Sequence, residues 1–364
     1  MNVLFYSPFA KADGLEPSGA ARMADLLVQA LRGAGATVST PRLPRTFDGR
    51  GDEAFQNLVK IQSGEAAAAL LLQIERGQVA RPDVWFSYHV YYKSPDWIGP
   101  RVARELGIAY VIAEGSYAPK RNGGPWNTGH VSATEALKSA DLLLAMTRFD
   151  QICLVQLCPG RVQLFVPFID VSSIPLRVRP HRKRTRLIAV GMMRNTRKFE
   201  SYRILADAMG QFRDISCELL VAGDGEFRDR VERLFDPLRD VHDIVFLGTL
   251  TRDALHEQIS QSDIFVWPGI GEAYGLTYLE AQACGLPVVA CRERGVVDVT
   301  LDRDTALLCS PDDATSVADN IRRLAVDTDL RERMSAQAQA FVRSGRTLEA
   351  ASARLKAHLD GVVR

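Results

Sequence analysis

Short apolar runs alternate with helix-like apolar periodicities along the whole 364-residue chain, and this alternation constrains the fold more than any other feature. In the helical segments, apolar residues recur at three- and four-residue spacing, as Met23, Leu26, Leu27, Ala30 and Leu31 do. The apolar runs predict strands at 3–6, 84–87, 110–113, 142–145, 187–190, 218–222, 244–247, 264–267 and 288–290. Strands that alternate with helices form parallel sheets covered on both faces, so the sequence predicts an α/β protein.

A segment without apolar periodicity, residues 171–186, divides this pattern into two parts. It contains Pro175, Pro180 and a run of basic residues, which is typical of a solvated connector between domains. We therefore predict an N-terminal Rossmann-like domain at 1–170, a linker at 171–186 and a C-terminal Rossmann-like domain at 187–345. Ligands of open parallel sheets bind beyond the carboxyl ends of the strands, so we expect the two domains to face each other across a ligand-binding cleft.

Charge and composition exclude several classes of protein. The 45 Lys and Arg residues and 44 Asp and Glu residues give a net charge of +1, which lacks the basic excess of a nucleic-acid binder. The longest strongly apolar run, residues 66–72, is too short to span a bilayer, and no basic lead of a signal peptide precedes the first strand. The six cysteines include no CxxC pair, which favours reduced thiols in a cytoplasmic protein and no metal site.

The segment most informative about chemistry is 268–287, PGIGEAYGLTYLEAQACGLP, which follows a predicted strand. Its glycines let the backbone approach a ligand closely, and a helix is predicted to begin at Gly275 or Leu276. The unpaired N–H groups of such a helix start favour an anion such as a diphosphate. Glu272 precedes the helix and Glu280 lies within it, and a carboxylate can accept hydrogen bonds from two adjacent sugar hydroxyls. Taken alone, the two acids are also explained as a helix-start acid and a surface acid.

This segment resembles the E-x7-E motif of the GT-B glycosyltransferases, in particular the large retaining group called family 4, or glycosyl transferases group 1. Five further stretches of the second unit resemble motifs of that family and occur in the same order as in the family. They are LIAVGMMRNTRK at 187–198, VAGDG at 221–225, VFLG at 245–248, the loop at 290–298, and 308–312. Each is weak by itself, but their common order makes the resemblance specific.

The resemblance implies roles for the matching acids and bases. Glu280 would bind the ribose hydroxyls of a nucleoside-diphosphate sugar, and Glu272 would contact the transferred sugar. Arg194 and Lys198 would neutralise the diphosphate together with the backbone N–H groups near Gly275, because the leaving group develops negative charge.

Two glycines and one further arginine complete the implied donor site. Gly191 belongs to the strand–Gly element and Gly223 to the GDG-like turn, and both would lie at the donor. Arg194 stands three residues after Gly191 rather than directly after it, as in the common pattern. Arg197 is therefore an alternative to either basic residue.

The first unit resembles the family more loosely. SGAAR at 18–22, which contains Gly19 and Arg22, follows the first strand as the family's Gly-rich loop does. The resemblance implies that this loop holds a donor or acceptor group, and we place Gly19 and Arg22 on the acceptor side; the alternative is a plain strand–helix turn. Glu114 follows the strand at 110–113, where many relatives carry a histidine. Either Glu114 takes part of that role or a nearby histidine does, the candidates being His89 and His130; taken alone, each histidine is better explained as a packed or surface residue.

Aromatic residues are concentrated at 84–130, which holds three of the four tryptophans and five of the nine tyrosines. Aromatic rings with polar edges suit the C–H face and hydroxyl rim of a sugar. We therefore place this segment, including Tyr117 and Trp126, on the acceptor side.

Together these features predict a glycosyltransferase that transfers a hexosyl-type sugar from a nucleoside-diphosphate donor with retention of configuration. The resemblance implies no cofactor beyond that co-substrate, a saccharide, lipid-linked or other small acceptor, and a final helix at 346–364 that packs back on the first domain. No transmembrane segment is expected, and peripheral contact with a membrane stays open. Two alternatives remain: a nucleotide-sugar epimerase of the same fold, and a non-catalytic nucleotide-sugar binding protein.

Overall fold

Two compact units make up the chain, and each is built on one sheet of six parallel strands. The computed structural model describes residues 1–9, 19–177, 183–194 and 197–363. Unit 1 consists of Met1–Val166 and Leu348–Arg364, and unit 2 of Pro167–Thr347. The prediction of an α/β protein with two parallel sheets is confirmed.

Unit 1 alternates strands with helices from its first residue. Its elements are β1 (Asn2–Tyr6), α1 (Gly19–Gly33), β2 (Thr37–Ser39), α2 (Glu53–Glu75), β3 (Val84–Val90), α3 (Gly99–Leu106), β4 (Ala109–Gly115), a 3-10 turn (Pro119–Arg121), α4 (Asn127–Ser139), β5 (Leu142–Ala145), α5 (Arg148–Leu157) and β6 (Val162–Leu164). The sheet order is β2-β1-β3-β4-β5-β6, so the chain reverses its direction of travel across the sheet between β1 and β3. Ligands bind at such reversal points in open parallel sheets.

Helix α13 (Leu348–Asp360) returns to unit 1 from the far end of the chain and packs against α1. Leu355 and Leu359 of α13 are fully buried there. Ser352 approaches so closely that a Cβ atom on Gly33 would lie 2.5 Å from its Oγ. The apolar face of α1 that the sequence predicts is buried in full, which includes Leu26 and Leu31.

Unit 2 repeats the alternation with shorter elements. They are β7 (Thr185–Val190), α6 (Arg197–Gly210), β8 (Cys217–Ala222), α7 (Arg228–Phe235), a 3-10 turn (Asp236–Leu238), β9 (Asp243–Gly248), α8 (Arg252–Ser260), β10 (Ile264–Val266), α9 (Leu276–Cys284), β11 (Val288–Cys291), α10 (Val296–Val299), β12 (Ala306–Cys309), α11 (Ala314–Val326) and α12 (Thr328–Gly345). The order β12-β11-β10-β7-β8-β9 places the reversal point between β7 and β10.

Part of the predicted connector packs on unit 2 instead of lying in solvent. Ile174 is buried, and Arg177 lies 2.5 Å from Asp263 and 3.2 Å from Glu332. The arginine is held because its two terminal nitrogens each donate to a carboxylate. Residues 178–182, which include Arg179, Pro180 and Arg182, lie outside the described residues.

The two segments by which the chain enters and leaves unit 2 lie side by side. Ile169 and Thr347 form an isolated parallel bridge, and Ile169 N donates to the Arg346 carbonyl at 2.9 Å. Among the described residues, no helix combines the length and the apolar character that crossing a bilayer demands.

Candidate active site

The loops that follow β7 and β10 meet at the reversal point of unit 2. After β7 the chain runs through Gly191 to Arg194, and helix α6 begins at Arg197; Asn195 and Thr196 lie outside the described residues. After β10 the chain runs through the glycine-rich loop to α9. The two stretches that the sequence predicts to hold the donor are therefore neighbours at the carboxyl edge of one sheet.

An ion pair joins these two loops. Lys198 in the first turn of α6 contacts Glu272, and both side chains are about three-quarters or more buried. Lys198 Nζ also lies 5.7 Å from the ring centroid of Trp267. Gly271 makes the approach possible, since a Cβ there would lie 2.2 Å from Cδ of Arg197.

Arg194 and Arg197 add positive charge at the same edge. Both are exposed, Arg194 at the end of the β7 loop and Arg197 at the start of α6. Lys198 is paired to Glu272, and these two guanidinium groups add positive charge at the same edge. Such a charge is what a diphosphate would need.

Helix α9 begins without a side-chain cap. Gly275 precedes its first residue, Leu276, with a left-handed φ of 48°. A Cβ on Gly275 would lie 2.4 Å from the ring of Tyr278, so glycine is required there by both conformation and space. No side chain of the described residues caps this start, and Tyr278 N donates to the Gly275 carbonyl at 3.0 Å, so the N–H groups of Leu276 and Thr277 are the ones available to a ligand or to water.

Gly191 and Gly223 have a packing role at this edge. A Cβ on Gly191 would lie 2.6 Å from Trp267, and one on Gly223 would lie 1.9 Å from the Gly191 carbonyl oxygen. These two residues therefore bring the ends of β7 and β8 together. Their predicted contact with a donor stays a prediction.

Glu280 lies inside α9 and is buried, with only 6% of its surface exposed. The surface-acid explanation is therefore wrong for this residue. Its carboxylate accepts a hydrogen bond from Arg252 at 2.8 Å, and His256 Nε2 lies 3.6 Å away. Burial alone would raise the pKa of Glu280, but His256 and Arg252 outweigh that effect and lower it. The residue is thus held as a carboxylate that can accept further hydrogen bonds.

Sequence reasoning missed Arg252 and His256. They lie one helical turn apart on α8, directly after the N-cap Thr251, whose hydroxyl accepts from Ala254 N. That spacing places them on one face of the helix. The four-residue spacing of Arg252 and His256 can be read from the sequence, but which acid they contact depends on how α8 packs on α9.

Unit 1 has a matching pair at its sheet edge. His89 near the end of β3 and Glu114 near the end of β4 lie with Nδ1 and Oε2 3.1 Å apart. Both have left-handed backbones, with φ of 66° and 57°, which non-glycine residues adopt at a cost. Burial would lower the pKa of His89, but the charge and hydrogen bond of Glu114, helped by Asp150, raise it. Glu114 and His89, two of the three candidates for the role of the family histidine, are therefore in contact, and which of them has that role stays a prediction.

The other predicted acceptor-side residues fall into separate contacts. His130 is buried and stacks on Tyr117 at 5.8 Å between ring centroids, and burial lowers its pKa. Trp126 packs edge-on against Tyr92 at 5.7 Å. Gly19 and Arg22 lie in the first turn of α1, which follows β1, while Ser18 lies outside the described residues.

Residues 184–327 match the family model described as glycosyl transferases group 1. This range contains β7 to α11 and therefore every predicted donor residue from Gly191 to Glu280. This domain of the chain is therefore similar to the group 1 glycosyltransferases. The resemblance inferred from the sequence motifs is confirmed over this domain.

Similar proteins extend the likeness beyond the group 1 domain. The chain is 29% identical over 211 residues to a sulfoquinovosyl transferase of Arabidopsis thaliana; the match covers 54% of this chain and 40% of that protein's length. A solved sucrose-phosphate synthase of Thermosynechococcus elongatus has a TM-score of 0.76 at 18% identity, over 99% of this chain and 98% of that one. The Anabaena HepE structure in complex with UDP has a TM-score of 0.74 at 15% identity, over 99% of this chain and 100% of that one. The GT-B fold prediction is confirmed.

Proposed function

We propose that this chain is a glycosyltransferase that moves a sugar from a nucleoside-diphosphate donor to an acceptor hydroxyl, with retention of configuration. The observation that carries the proposal is the edge of unit 2 at β7 and β10. There Arg194, Arg197 and the uncapped start of α9 supply positive charge, beside the Lys198–Glu272 pair. The match to the group 1 family and the UDP of the HepE structure support a nucleotide-sugar donor.

Each donor residue has a chemical task in this proposal. Glu280 accepts hydrogen bonds from the ribose, and its low pKa keeps it charged for that purpose. Glu272 accepts hydrogen bonds from the transferred sugar and holds Lys198 toward the diphosphate. The arginines and the α9 N–H groups stabilise the charge that grows as the bond between the anomeric carbon and the phosphate oxygen breaks.

The proposed transfer occurs on one face of the sugar. The acceptor oxygen bonds to the anomeric carbon on the side from which the diphosphate leaves, and the departing phosphate oxygen takes the acceptor proton. This route asks for leaving-group stabilisation rather than for a strong base. We assign Glu114, with His89, to acceptor orientation, so Glu114→Gln slows transfer without trapping a glycosyl-enzyme.

The experiment is a donor screen followed by product analysis. UDP-, GDP- and ADP-sugars are tested for a rise in melting temperature, since a ligand that binds only the folded state stabilises it. Glu280→Ala is expected to weaken binding of the selected donor by about 1.5–3 kcal/mol through loss of a charged hydrogen bond. Proton NMR of the product then reads the anomeric configuration, and a β-product from an α-donor would reject the proposed stereochemistry.

One control addresses the epimerase alternative. Incubation of donor without acceptor tests for epimerisation, which the proposal does not expect.

We also propose that protein cations rather than a metal neutralise the diphosphate, so activity should survive a chelator. Activity lost to the chelator and restored by Mg²⁺ or Mn²⁺ would contradict that part.

A further inference from the structure

Unit 1 holds two positive charges against the same two aromatic rings. Lys93 Nζ lies 4.9 Å from the ring centroid of Trp126 and 5.9 Å from that of Tyr92. The guanidinium carbon of Arg121 lies 5.2 Å and 5.0 Å from the same centroids. Both charges thus lie within 6 Å of the same two ring centroids, and we call Lys93 and Arg121 the cation pair.

No acidic side chain neutralises the cation pair within the described part of the chain. Neither residue forms an ion pair there, and the buried Nε of Arg121 has no hydrogen-bond partner. Aromatic faces return only about 0.5–1 kcal/mol per cation at partly exposed sites. Two like charges that stay unpaired repel each other, so an anion bound between them would be stabilised.

Asp48 connects Lys93 to Trp126 through its backbone, while its carboxylate bonds other groups. Asp48 N donates to the Lys93 carbonyl at 2.7 Å, and Trp126 Nε1 donates to the Asp48 carbonyl at 2.9 Å. The Asp48 carboxylate accepts instead from the backbone N–H groups of Arg50 and Gly51 and from Gln56 Nε2, at 2.8–2.9 Å. The backbone of Asp48 therefore braces this site, while its carboxylate is engaged by its own loop and by Gln56.

A row of rings leads from the cation pair to the pair His89–Glu114. Ring centroids are 5.7 Å apart from Trp126 to Tyr92, 5.4 Å from Tyr92 to Tyr91, and 4.9 Å from Tyr91 to His89. Such a row suits the C–H face of a polyhydroxy compound. The cation pair and the pair His89–Glu114 thus stand at the two ends of one row of contacting rings.

We propose that the cation pair binds a phosphomonoester, so that the acceptor of this enzyme is a phosphorylated polyhydroxy compound. A phosphomonoester carries a charge of about −1.5 to −2 at neutral pH, which matches two cations better than a carboxylate does. Arginine also bonds phosphate oxygens through two donors at once. The acceptor role rests on the proposed function, whereas the anion site does not.

The test measures binding to the full chain by calorimetry at constant ionic strength. The probes are glucose 6-phosphate, glycerol 3-phosphate, glucuronate and glucose. We expect at least one phosphate probe to bind about ten-fold or more tightly than glucose and glucuronate, as two charge-assisted contacts predict. If neither phosphate probe binds, or if glucuronate binds as tightly, the proposal is overturned.

Matched variants locate the site. Lys93→Gln and Arg121→Gln should each weaken phosphate-probe binding about five-fold or more, the loss expected for one charged contact. Lys120→Gln removes a charge from an exposed neighbour that contacts neither ring, and it should change binding less than about two-fold. Equal effects of Arg121→Gln and Lys120→Gln would overturn the assignment to these residues.

Two further arms separate the source of the phosphate and the role of unit 2. If the protein sediments with phosphatidic acid vesicles and Arg121→Gln abolishes this binding, the phosphomonoester belongs to a lipid rather than to a free metabolite. Arg121→Gln should leave affinity for the donor nucleotide sugar unchanged; equal loss of donor binding would overturn the proposal. If phosphate probes bind through Arg121 but no nucleotide sugar binds or reacts, the proposed function fails while the anion site stands.

Discussion

The left-handed backbones of His89 and Glu114 are the clearest sign of function in unit 1. A left-handed conformation at a residue with a Cβ costs free energy and persists where the surrounding structure imposes it. Here it occurs at the ends of two adjacent strands, and the two side chains it directs lie 3.1 Å apart. Such placement is expected of a site that holds a ligand.

The charge of Glu114 should set the ionisation of His89. Glu114→Gln removes the main influence that raises the pKa of His89, so that pKa should fall when burial is left to act alone. Imidazole NMR over a pH series measures this directly in both proteins. Glu135→Gln, in the following helix α4, controls for loss of an acidic charge. An unchanged His89 titration in Glu114→Gln would contradict the pairing.

Glu280 should make stability depend on pH in the acid range. Its pKa is lowered below the ordinary value of 4.5, so the folded state binds a proton there less readily than the unfolded state does. The stabilisation is therefore present above pH 4.5 and is lost as pH falls through the lowered pKa. Urea unfolding of wild type and Glu280→Gln between pH 3 and about 7 should show the two stabilities converging on the acid side.

A control for this effect is Glu75→Gln at the exposed end of α2. A wild-type advantage over Glu280→Gln that grows toward low pH would show the opposite sign and exclude the proposed cause.

Lys198 should matter more to turnover than to stability. Its pairing with Glu272 is partly exposed, and such pairs contribute about 0–1 kcal/mol to folding. A preorganised charge at a leaving group is worth about a hundred-fold or more in rate. Lys198→Ala should thus reduce kcat strongly and shift the Tm little, while Lys356→Ala, which breaks an exposed pair with Asp360, should change neither.

At the residue scale, the motifs predicted the acids and bases but not their partners. Glu272, Lys198 and Glu280 could be singled out because their segments resemble motifs of the GT-B glycosyltransferases. Arg252 and His256 could not, since their meeting with Glu280 depends on how two helices pack. The ion pair of Lys198 with Glu272 likewise joins loops 74 residues apart in sequence.

At the scale of elements, the central strands were predictable and three edge strands were not. The strands β2, β6 and β12 each have three or four residues and a neighbour on one side only. In β2 and β6 no residue is fully buried, so no apolar run marks them in the sequence. Strands such as β3, buried on both faces, stand out as continuous apolar runs.

The turn after β8 leaves no space for a side chain at its glycine. Gly223 has a φ of 139°, and a Cβ there would collide with the Gly191 carbonyl oxygen. Gly223→Ala should therefore destabilise unit 2 by about 1–3 kcal/mol or more, since a strained backbone alone costs that much. Gly64→Ala, in the open middle of α2, should instead stabilise by about 0.5–1 kcal/mol. Urea unfolding measures the free energy of unfolding of both variants, and equal values would contradict the predicted collision at Gly223.

At the scale of the whole molecule, unit 1 depends on a helix that follows unit 2 in sequence. Leu355 of α13 is fully buried, and Arg354 of the same helix lies 5.4 Å from the ring of Phe165. Leu355→Ala should lower the free energy of unfolding by about 2–5 kcal/mol, and the loss should affect unit 1. Hydrogen exchange should show weaker protection of α1 and unchanged protection of α9.

The neighbouring substitution Lys356→Ala, on the exposed side of α13, is the matched control. If Leu355→Ala left the amides of α1 fully protected, the docking of α13 on α1 would be refuted.

The paired bridge of Ile169 with Thr347 gives unit 2 the topology of an insertion. Its two chain ends lie side by side, at about the 5 Å spacing of adjacent strands. A host domain can accept or lose a segment with such ends without opening a gap, which is why inserted domains are tolerated at these sites. The family match at 184–327 falls entirely inside this insertion. A unit with such ends can be inherited and recombined as a whole, while the host domain that receives it diverges independently.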